Sequence, residues 1–277
     1  MLSYQHAYHA GNHADVLKHA ALSLCLEALK RKPKPFFALD THAGRGRYDL
    51  RSTYSEVTGE ATAGIERLWP ALADQFPEPY AASLNLVNRG NRLRNYPGSC
   101  QIIADQLRPQ DHAVFCERHP AEFAALDKHL GTHHRCQLRF DDGFATARAV
   151  IPPEAGRGLI LLDPSYETAS DYTQVLRVVS EIHHRFRAGI VLVWLPVISR
   201  SAGFLDSLVA LAQKDIRTVT GELRVRASTA GGMSSSAVYI LNAPWQVDEA
   251  LQRFLDAAVP LLAEDTEAKA RVLRYGD

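Results

Sequence analysis

The sequence predicts an α/β protein whose mostly parallel sheet is covered by helices on both faces. Short apolar runs alternate with helical patterns along the 277 residues, which is typical of strands joined by crossover helices. The last two apolar runs are separated by a segment too short to hold a helix, so these two strands should pair antiparallel. We therefore expect a seven-stranded, mostly parallel sheet that ends in an antiparallel hairpin.

Seven runs rich in branched and aromatic residues supply the strands of this sheet. In chain order they span 35–40, 112–117, 136–140, 158–162, 189–195, 219–226 and 237–242. Helical patterns at 120–130, 172–186 and 203–214 lie between them. An N-terminal helix is expected after Asn12, which suits an N-cap, with Leu17, Leu24 and Leu29 on its apolar face.

The first two predicted strands are unusually far apart. A simple strand–helix–strand unit takes roughly 30 residues, and the segment between Asp40 and the strand at 112–117 is more than twice that. Residues 51–96 are therefore predicted to form a small helical insertion, with helices at 61–72 and 79–92. We treat the insertion as a subdomain within a single domain that spans 1–277.

Composition and charge narrow the function classes. Lys and Arg total 31, and Asp and Glu also total 31, so the net charge of zero permits a nucleic-acid partner without demanding one. No apolar run approaches the roughly 20 residues that span a bilayer, and the first residues do not resemble a secretory signal. The four cysteines are scattered, without a Cys-x-x-Cys pair, which favours a reducing compartment. The expectation is a cytoplasmic protein without a membrane partner.

The loop Asp163-Pro164-Ser165-Tyr166 directly follows the apolar run 158–162. It offers a hydrogen-bond acceptor, a rigid backbone and a flat ring at the edge where open α/β sheets bind ligands. These groups suit a planar amino group such as that of a nucleobase. Asp163 and the Pro164 carbonyl could accept hydrogen bonds from an aromatic amine and concentrate its lone pair, while Tyr166 stacks on the base. A surface turn is the alternative, because Asp-Pro is common turn chemistry.

Three further predicted strands also end in or near an acid. Asp40 precedes a loop with two glycines, Glu117 closes the next strand, and Asp142 with Gly143 follows the third. Such acids can accept hydrogen bonds from ribose hydroxyls or from the amine of adenine. The third glycine of a dinucleotide fingerprint is replaced by Asp49, so a nucleoside without a pyrophosphate fits better than NAD.

Four histidines near the N-terminus invite a metal hypothesis: His6, His9, His13 and His19. No cysteine accompanies them, and the His9–His13 pair lacks the glutamate of a His-Glu-x-x-His helix. We therefore predict no metal. The helix start should instead pack over the cofactor, with Lys18 and His19 facing it.

These residues closely resemble the ribosomal RNA large subunit methyltransferase J family. The matching blocks are the N-terminal segment up to His19, the segment 39–48, the segment 96–99, and Asp163-Pro164 with Tyr166. The resemblance implies a Rossmann-like fold and methylation of N6 of one adenine in protein-free 23S rRNA, with S-adenosylmethionine as donor. It implies cofactor binding by Lys18, His19, His42, Ser99, Glu117, Asp142, Gly143 and Asp163. It also implies a catalytic loop of Asp163, Pro164 and Tyr166, and RNA contacts by Tyr4 and His6.

One position departs from the family pattern. The family's usual loop is Asp-Pro-Pro-Tyr, and Ser165 stands at the second proline. The loop therefore gains an N–H group and some freedom, so we expect it to hold the base somewhat less rigidly and activity to survive.

Several alternatives fit the same loop. A DNA adenine methyltransferase or a protein-glutamine methyltransferase would bind a similar planar amino group of its substrate in such a loop. DNA enzymes, however, usually carry a recognition domain larger than residues 51–96. A non-catalytic module that binds S-adenosylmethionine or RNA is a different class, favoured by Ser165 and disfavoured by Asp163 and Tyr166. An NAD oxidoreductase fits the glycine pattern least. We expect a monomer without an obligate protein partner.

Overall fold

A computed structural model describes residues 6–72, 74–88, 92–212, 216–228 and 233–276. Its strands are β1 (Phe37–Asp40), β2 (Arg47–Asp49), β3 (Asn95–Pro97), β4 (His112–Cys116), β5 (Cys136–Arg139), β6 (Gly158–Leu162), β7 (Gly189–Pro196), β8 (Thr218–Arg224), β9 (Ser235–Leu241) and β10 (Lys269–Tyr275). Its α-helices are α1 (His13–Lys30), α2 (Thr53–Thr58), α3 (Glu60–Ala63), α4 (Ile65–Leu72), α5 (Glu78–Val87), α6 (Ser99–Gln106), α7 (Pro120–Leu130), α8 (Gly143–Val150), α9 (Ala169–Arg185), α10 (Phe204–Leu211) and α11 (Val247–Leu262).

The main sheet has eight strands in the order β10-β8-β9-β7-β6-β1-β4-β5. Strands β7, β6, β1, β4 and β5 run parallel, and β9, β8 and β10 are added antiparallel. Because β1 lies between β4 and β6, the carboxyl ends of these strands meet at one edge of the sheet. The predicted class is confirmed: this is a Rossmann-like α/β fold with a mostly parallel sheet and an antiparallel pair near its C-terminus.

The predicted strand count is one short. The eighth strand of the sheet, β10, pairs antiparallel with β8 at the sheet edge. It contains Lys269, Arg271 and Arg274 and alternates between half-buried and exposed positions. An edge strand with one solvated face needs few apolar residues, so it lacks the apolar run on which the prediction depended. Residues 229–232, in the predicted hairpin loop, lie outside the described residues.

The insertion is helical, but its helices differ from the predicted ones. The predicted helix at 61–72 is divided at Gly64 into α3 and α4. A Cβ at Gly64 would lie 2.1 Å from the Gly11 carbonyl oxygen, and the Ile65 N–H donates to that same oxygen at 2.8 Å. The second predicted helix ends at Val87 rather than at 92. The Asn88 side chain there bonds the backbone of the strand that returns from the insertion.

Helix α1 brings the N-terminal residues to the sheet edge. Asn12 caps it, as predicted, by accepting from the Asp15 N–H at 2.9 Å. The helix is buried along most of its length against α5, α11 and β9. Burial includes the polar side chains Asp15, Lys18 and His19, which is unusual unless such groups are paired. None of the described helices is both long and apolar enough to cross a membrane.

Candidate active site

A cavity of about 820 Å³ opens at the carboxyl edge of β1, β4 and β6, beneath the start of α1. The cavity is lined by the described residues that the sequence predicted to bind the cofactor, to take part in catalysis or to contact RNA. These are His6, Lys18, His19, His42, Ser99, Glu117, Asp142, Gly143, Asp163, Pro164 and Tyr166. Tyr4 lies outside the described residues. The structure therefore brings together side chains from the N-terminal helix and four strand ends. Their individual roles stay predictions.

Asp163 forms an ion pair with the buried Lys18. The Lys18 ammonium lies 2.7 Å from Asp163 Oδ2, and the Asp163 side chain is only 13 % exposed. Burial raises the pKa of Asp163 above its ordinary value, although the charge of Lys18 opposes this shift. Burial also works against the charge of Lys18, but Asp15 and Asp163 together raise the pKa of Lys18 above its ordinary range. Lys18 therefore remains an ammonium beside the Asp163 carboxylate.

Tyr166 anchors the loop after β6. Its hydroxyl donates to the Trp194 carbonyl oxygen at 2.7 Å, and its ring packs against Tyr172, Trp194 and Phe204. Its φ of 53° is in the left-handed region, which a tyrosine adopts only when its surroundings fix it. This contact set restrains the loop from its far end.

Asp40 is fully buried beneath the cavity floor. Its carboxylate accepts from the Ser99 hydroxyl at 2.6 Å and from the His42 N–H at 3.1 Å. Burial raises the pKa of Asp40 to about 6, and the nearby charge of Asp163 adds to this increase. Asp40 thus orients Ser99 and the turn at His42 rather than lining the cavity itself.

The pKa of Asp40 predicts a pH dependence of stability. Because the pKa rises from 3.8 in the unfolded chain to about 6 in the fold, protonated Asp40 stabilises the fold fully below about pH 4. This contribution is lost as the pH rises through about 6. Asp40→Asn cannot ionise, so its free energy of unfolding should fall less than that of the wild type between pH 4 and pH 7. Urea unfolding at several pH values measures the difference, and parallel curves would contradict the assignment.

Glu117, which follows β4, accepts hydrogen bonds from two backbone N–H groups. Its Oε2 accepts from Gly44 at 2.9 Å and its Oε1 from His119 at 2.6 Å. Burial raises the pKa of Glu117 above its ordinary value, while these hydrogen bonds oppose the shift. Each carboxylate oxygen has more than one acceptor lone pair, so the fixed carboxylate can also accept from a ligand's hydroxyl groups.

Asp142 and Gly143 form the start of α8. Asp142 is the N-cap and accepts from the Ala145 N–H at 3.0 Å. A Cβ at Gly143 would lie 1.9 Å from the Thr41 carbonyl oxygen, so only glycine allows α8 to approach the end of β1 this closely. The next residue, Phe144, packs edge-on against the His42 ring. Burial lowers the pKa of His42 to about 4, and the ring is neutral at pH 7.

His19 belongs to a buried chain of aromatic hydrogen bonds. Its Nδ1 lies 2.7 Å from the Tyr96 hydroxyl, which lies 2.7 Å from the Tyr80 hydroxyl. This chain links α1 to the insertion. The buried Nε2 of His19 has no hydrogen-bond partner among the described residues, and burial lowers the pKa of His19 to about 3. A neutral imidazole with an unsatisfied nitrogen therefore borders the cavity.

Sequence reasoning missed two members of the site, Asp15 and Trp194. Asp15 bonds Lys18 and His6, and Trp194 supplies the carbonyl oxygen that holds Tyr166. The spacing of Asp15, Lys18 and His19 could have shown that the three share one helix face. Nothing in the sequence near Trp194 indicates its contact with a loop 28 positions away. The described residues contain no group of three or more His, Cys, Asp or Glu placed to bind a metal.

Comparison with known proteins identifies the family to which this chain belongs. A family model described as ribosomal RNA large subunit methyltransferase D, RlmJ, matches residues 33–273. The chain is 41 % identical over 261 residues to the Escherichia coli (strain K12) protein named ribosomal RNA large subunit methyltransferase J, with 92 % of each chain covered. The chain belongs to the RlmJ family. The resemblance inferred from the N-terminal block and the Asp163 loop is thereby confirmed.

Further relatives are similar to this chain in sequence or in fold. The protein of the same name from Haemophilus influenzae is 40 % identical over 262 residues, again with 92 % of each chain covered. A crystal structure of a Legionella pneumophila protein superposes with a TM-score of 0.88 at 30 % identity, covering 96 % of this chain and 98 % of that one. A probable spermidine synthase from Corynebacterium glutamicum, at 12 % identity and a TM-score of 0.52, shares the fold alone.

Proposed function

We propose that this RlmJ-family protein methylates the exocyclic N6 amine of an adenine in 23S rRNA, with S-adenosylmethionine as donor and protein-free rRNA as substrate. The observation that carries the proposal is the buried Asp163 carboxylate, which is held at the end of β6 beside Lys18 in a cavity lined by other strand-end acids. The names of the two curated relatives support an rRNA substrate.

The residues around the cavity fit a nucleoside donor. Glu117 offers a fixed carboxylate to ribose hydroxyls, and Asp142 at the start of α8 offers an acceptor to the adenine amine. Phe144 and the neutral His42 ring supply apolar surface for a purine. The unsatisfied Nε2 of His19 offers a further polar contact. When bound, S-adenosylmethionine supplies an electrophilic methyl group on a sulfonium.

Asp163 and Pro164 would prepare the substrate amine. An adenine amine is a weak nucleophile because its lone pair is delocalised into the ring. An ionised Asp163 and the Pro164 carbonyl would accept hydrogen bonds from the two N6–H groups and direct the nitrogen lone pair toward the methyl group. The N6–CH₃ bond would form as the sulfonium S–CH₃ bond breaks, S-adenosylhomocysteine would leave, and one N6 proton would be lost to solvent. Burial makes these interactions stronger than they would be in water. Lys18 favours the ionised form of Asp163, in which both carboxylate oxygens act only as hydrogen-bond acceptors.

The target base must leave its stack to reach this depth. Tyr166 lines the cavity and is rigidly held, so it is suited to contact the flipped base. We assign RNA contacts to His6 at the start of the chain and to Tyr4. Single-stranded or bulged RNA is the substrate form that allows such extrusion at least cost.

Identification of the methylated product tests this proposal. The protein is incubated with radiolabelled S-adenosylmethionine and, separately, with protein-free 23S rRNA, assembled large subunits, adenine-containing DNA and ribosomal proteins. We expect label in N6-methyladenosine from the protein-free rRNA. Label recovered in DNA or in glutamine would replace the proposed substrate with one of the alternatives. S-adenosylmethionine binding without label in any substrate would favour a non-catalytic binding module.

A further inference from the structure

Asp15 is a fully buried carboxylate that the proposed reaction does not use. It lies in the first turn of α1, and its side chain is 1 % exposed. Burial alone would raise the pKa of Asp15, but its contacts with His6 and with the Lys18 ammonium hold it well below its ordinary value. A buried charge of this kind is costly and is retained only where several partners compensate it.

The contacts of Asp15 connect three separate parts of the site. Its Oδ1 accepts from the Lys18 ammonium at 2.8 Å. Its Oδ2 lies 2.9 Å from His6 Nε2 and accepts from the Gly11 N–H at 2.9 Å. Asp15 therefore fixes Lys18, the His6 ring and the turn that precedes α1 at the same time.

Lys18 is shared between two carboxylates. Its ammonium lies 2.8 Å from Asp15 Oδ1 and 2.7 Å from Asp163 Oδ2, and 5.9 Å from the centre of the Trp194 ring. Asp15 and Asp163 thus share one ammonium, and neither carboxylate holds it alone. If Asp15 were neutral, the ammonium would pair with Asp163 alone. It would then neutralise the carboxylate that the substrate amine has to meet.

We propose that Asp15 is a positioning residue for methyl transfer: it holds Lys18 back so that the Asp163 carboxylate remains available as an acceptor. This inference rests on the proposed function. In this arrangement Lys18 contacts one oxygen of Asp163, and the substrate amine approaches the other. Asp15 also places His6 at the cavity wall through the same carboxylate.

Asp15→Asn tests this role because it keeps the shape and removes the charge. The amide oxygen can accept from the Gly11 N–H, but the NH₂ group then faces the Lys18 ammonium. Two hydrogen-bond donors cannot pair with each other. We expect kcat to fall by about 100-fold, the typical effect of misplacing a reacting group. The affinity for S-adenosylhomocysteine, measured by calorimetry, should change less than about threefold, since the proposed contacts of the nucleoside remain.

The pH profile distinguishes positioning from a structural role. Among the described residues, the charged and titratable groups that interact with Asp163 are Lys18, His6, Asp15, Asp40 and Tyr166. Because the charge of Asp15 raises the pKa of Asp163, its removal should lower that pKa. The acid limb of kcat against pH should therefore move to lower pH in Asp15→Asn. Carbon-13 NMR of the Asp163 carboxyl in the ligand-free protein should show the same shift without any turnover.

A buried carboxylate elsewhere supplies the matched control. Asp111 is fully buried and accepts from Arg108 and the Phe36 N–H at the opposite edge of the sheet. Asp111→Asn should lower thermal stability but leave kcat and the titration of Asp163 unchanged. If Asp15→Asn does not fold, Asp15→Ser, which leaves room for a water molecule, has the same expected results.

A double-mutant cycle completes the test. If Asp15 acts through Lys18, Asp15→Asn combined with Lys18→Gln should be no slower than Lys18→Gln alone. Multiplying effects, or an unchanged titration of Asp163 in Asp15→Asn, would overturn the positioning role. Failure of the wild type to methylate protein-free 23S rRNA would instead refute the proposed function. The Asp163 titration, which needs no substrate, would still report on Asp15.

Discussion

Asp163→Ala is expected to abolish methyl transfer while leaving the fold intact. The substitution removes the carboxylate that would accept the amine hydrogen, and losses of at least about 1,000-fold are typical for a buried electrostatic contact to the reacting group. The fold should survive because Lys18 keeps its second partner, Asp15, at 2.8 Å. Tyr166, which restrains the loop, does not depend on Asp163 for its bond to Trp194.

Single-turnover assays with labelled S-adenosylmethionine and protein-free 23S rRNA measure this effect. Asp163→Asn keeps the volume and one acceptor oxygen, so it should retain more activity than Asp163→Ala while staying far below the wild type. Asp206→Ala, at an exposed carboxylate on α10 outside the cavity, serves as the control and should keep the native rate. A native rate in Asp163→Ala would show that the carboxylate does not activate the amine.

Gly143→Ala is expected to lower both the free energy of unfolding and the affinity for the cofactor. The added Cβ would lie 1.9 Å from the Thr41 carbonyl oxygen. Thr41 cannot move away easily, because its N–H and its hydroxyl both donate to the Leu161 carbonyl, at 3.1 Å and 2.9 Å. Helix α8 must therefore shift from the end of β1. Overpacking of this kind costs about 3 kcal/mol of the free energy of unfolding.

The same shift displaces Asp142 and Phe144, which line the cavity. Affinity for S-adenosylhomocysteine should fall at least about tenfold, which corresponds to 1.4 kcal/mol. The control is Gly156→Ala, where φ is 65° and a Cβ would meet nothing within 4 Å. It should cost roughly 1–2 kcal/mol of stability through backbone strain alone and leave affinity unchanged. Equal affinity losses in the two variants would show that the close approach at Gly143 does not shape the cofactor site.

The features predicted well from the sequence depend on local chemistry. Strand β6 has the predicted bounds because five buried residues in a row leave little alternative to a central parallel strand. Helix α7 also has its predicted bounds, since Pro120 opens it and Gly131 follows it. The strand-end acids were placed at one edge by the rule that parallel strands align their carboxyl ends.

The features missed depend on contacts between distant segments. The break at Gly64 follows from the approach of the Gly11 carbonyl, more than 50 residues earlier in the chain. Strand β10 is defined by its pairing with β8 rather than by its own composition. Neither feature has a local signal that periodicity could detect.

The sequence by itself determined the fold class, the family and the position of the Asp163-Pro164-Ser165-Tyr166 loop directly after β6. Apolar runs and short motifs carry those signals locally. Tertiary structure alone decided how the charges of the site are shared. Asp15, Lys18 and Asp163 form one chain only because α1 is buried across the edge of the sheet. The Tyr166 hydroxyl finds its acceptor, the Trp194 carbonyl oxygen, only because the fold brings β7 beside this loop. Such pairings follow from packing, since a buried charge or hydroxyl takes the partner that the fold places beside it.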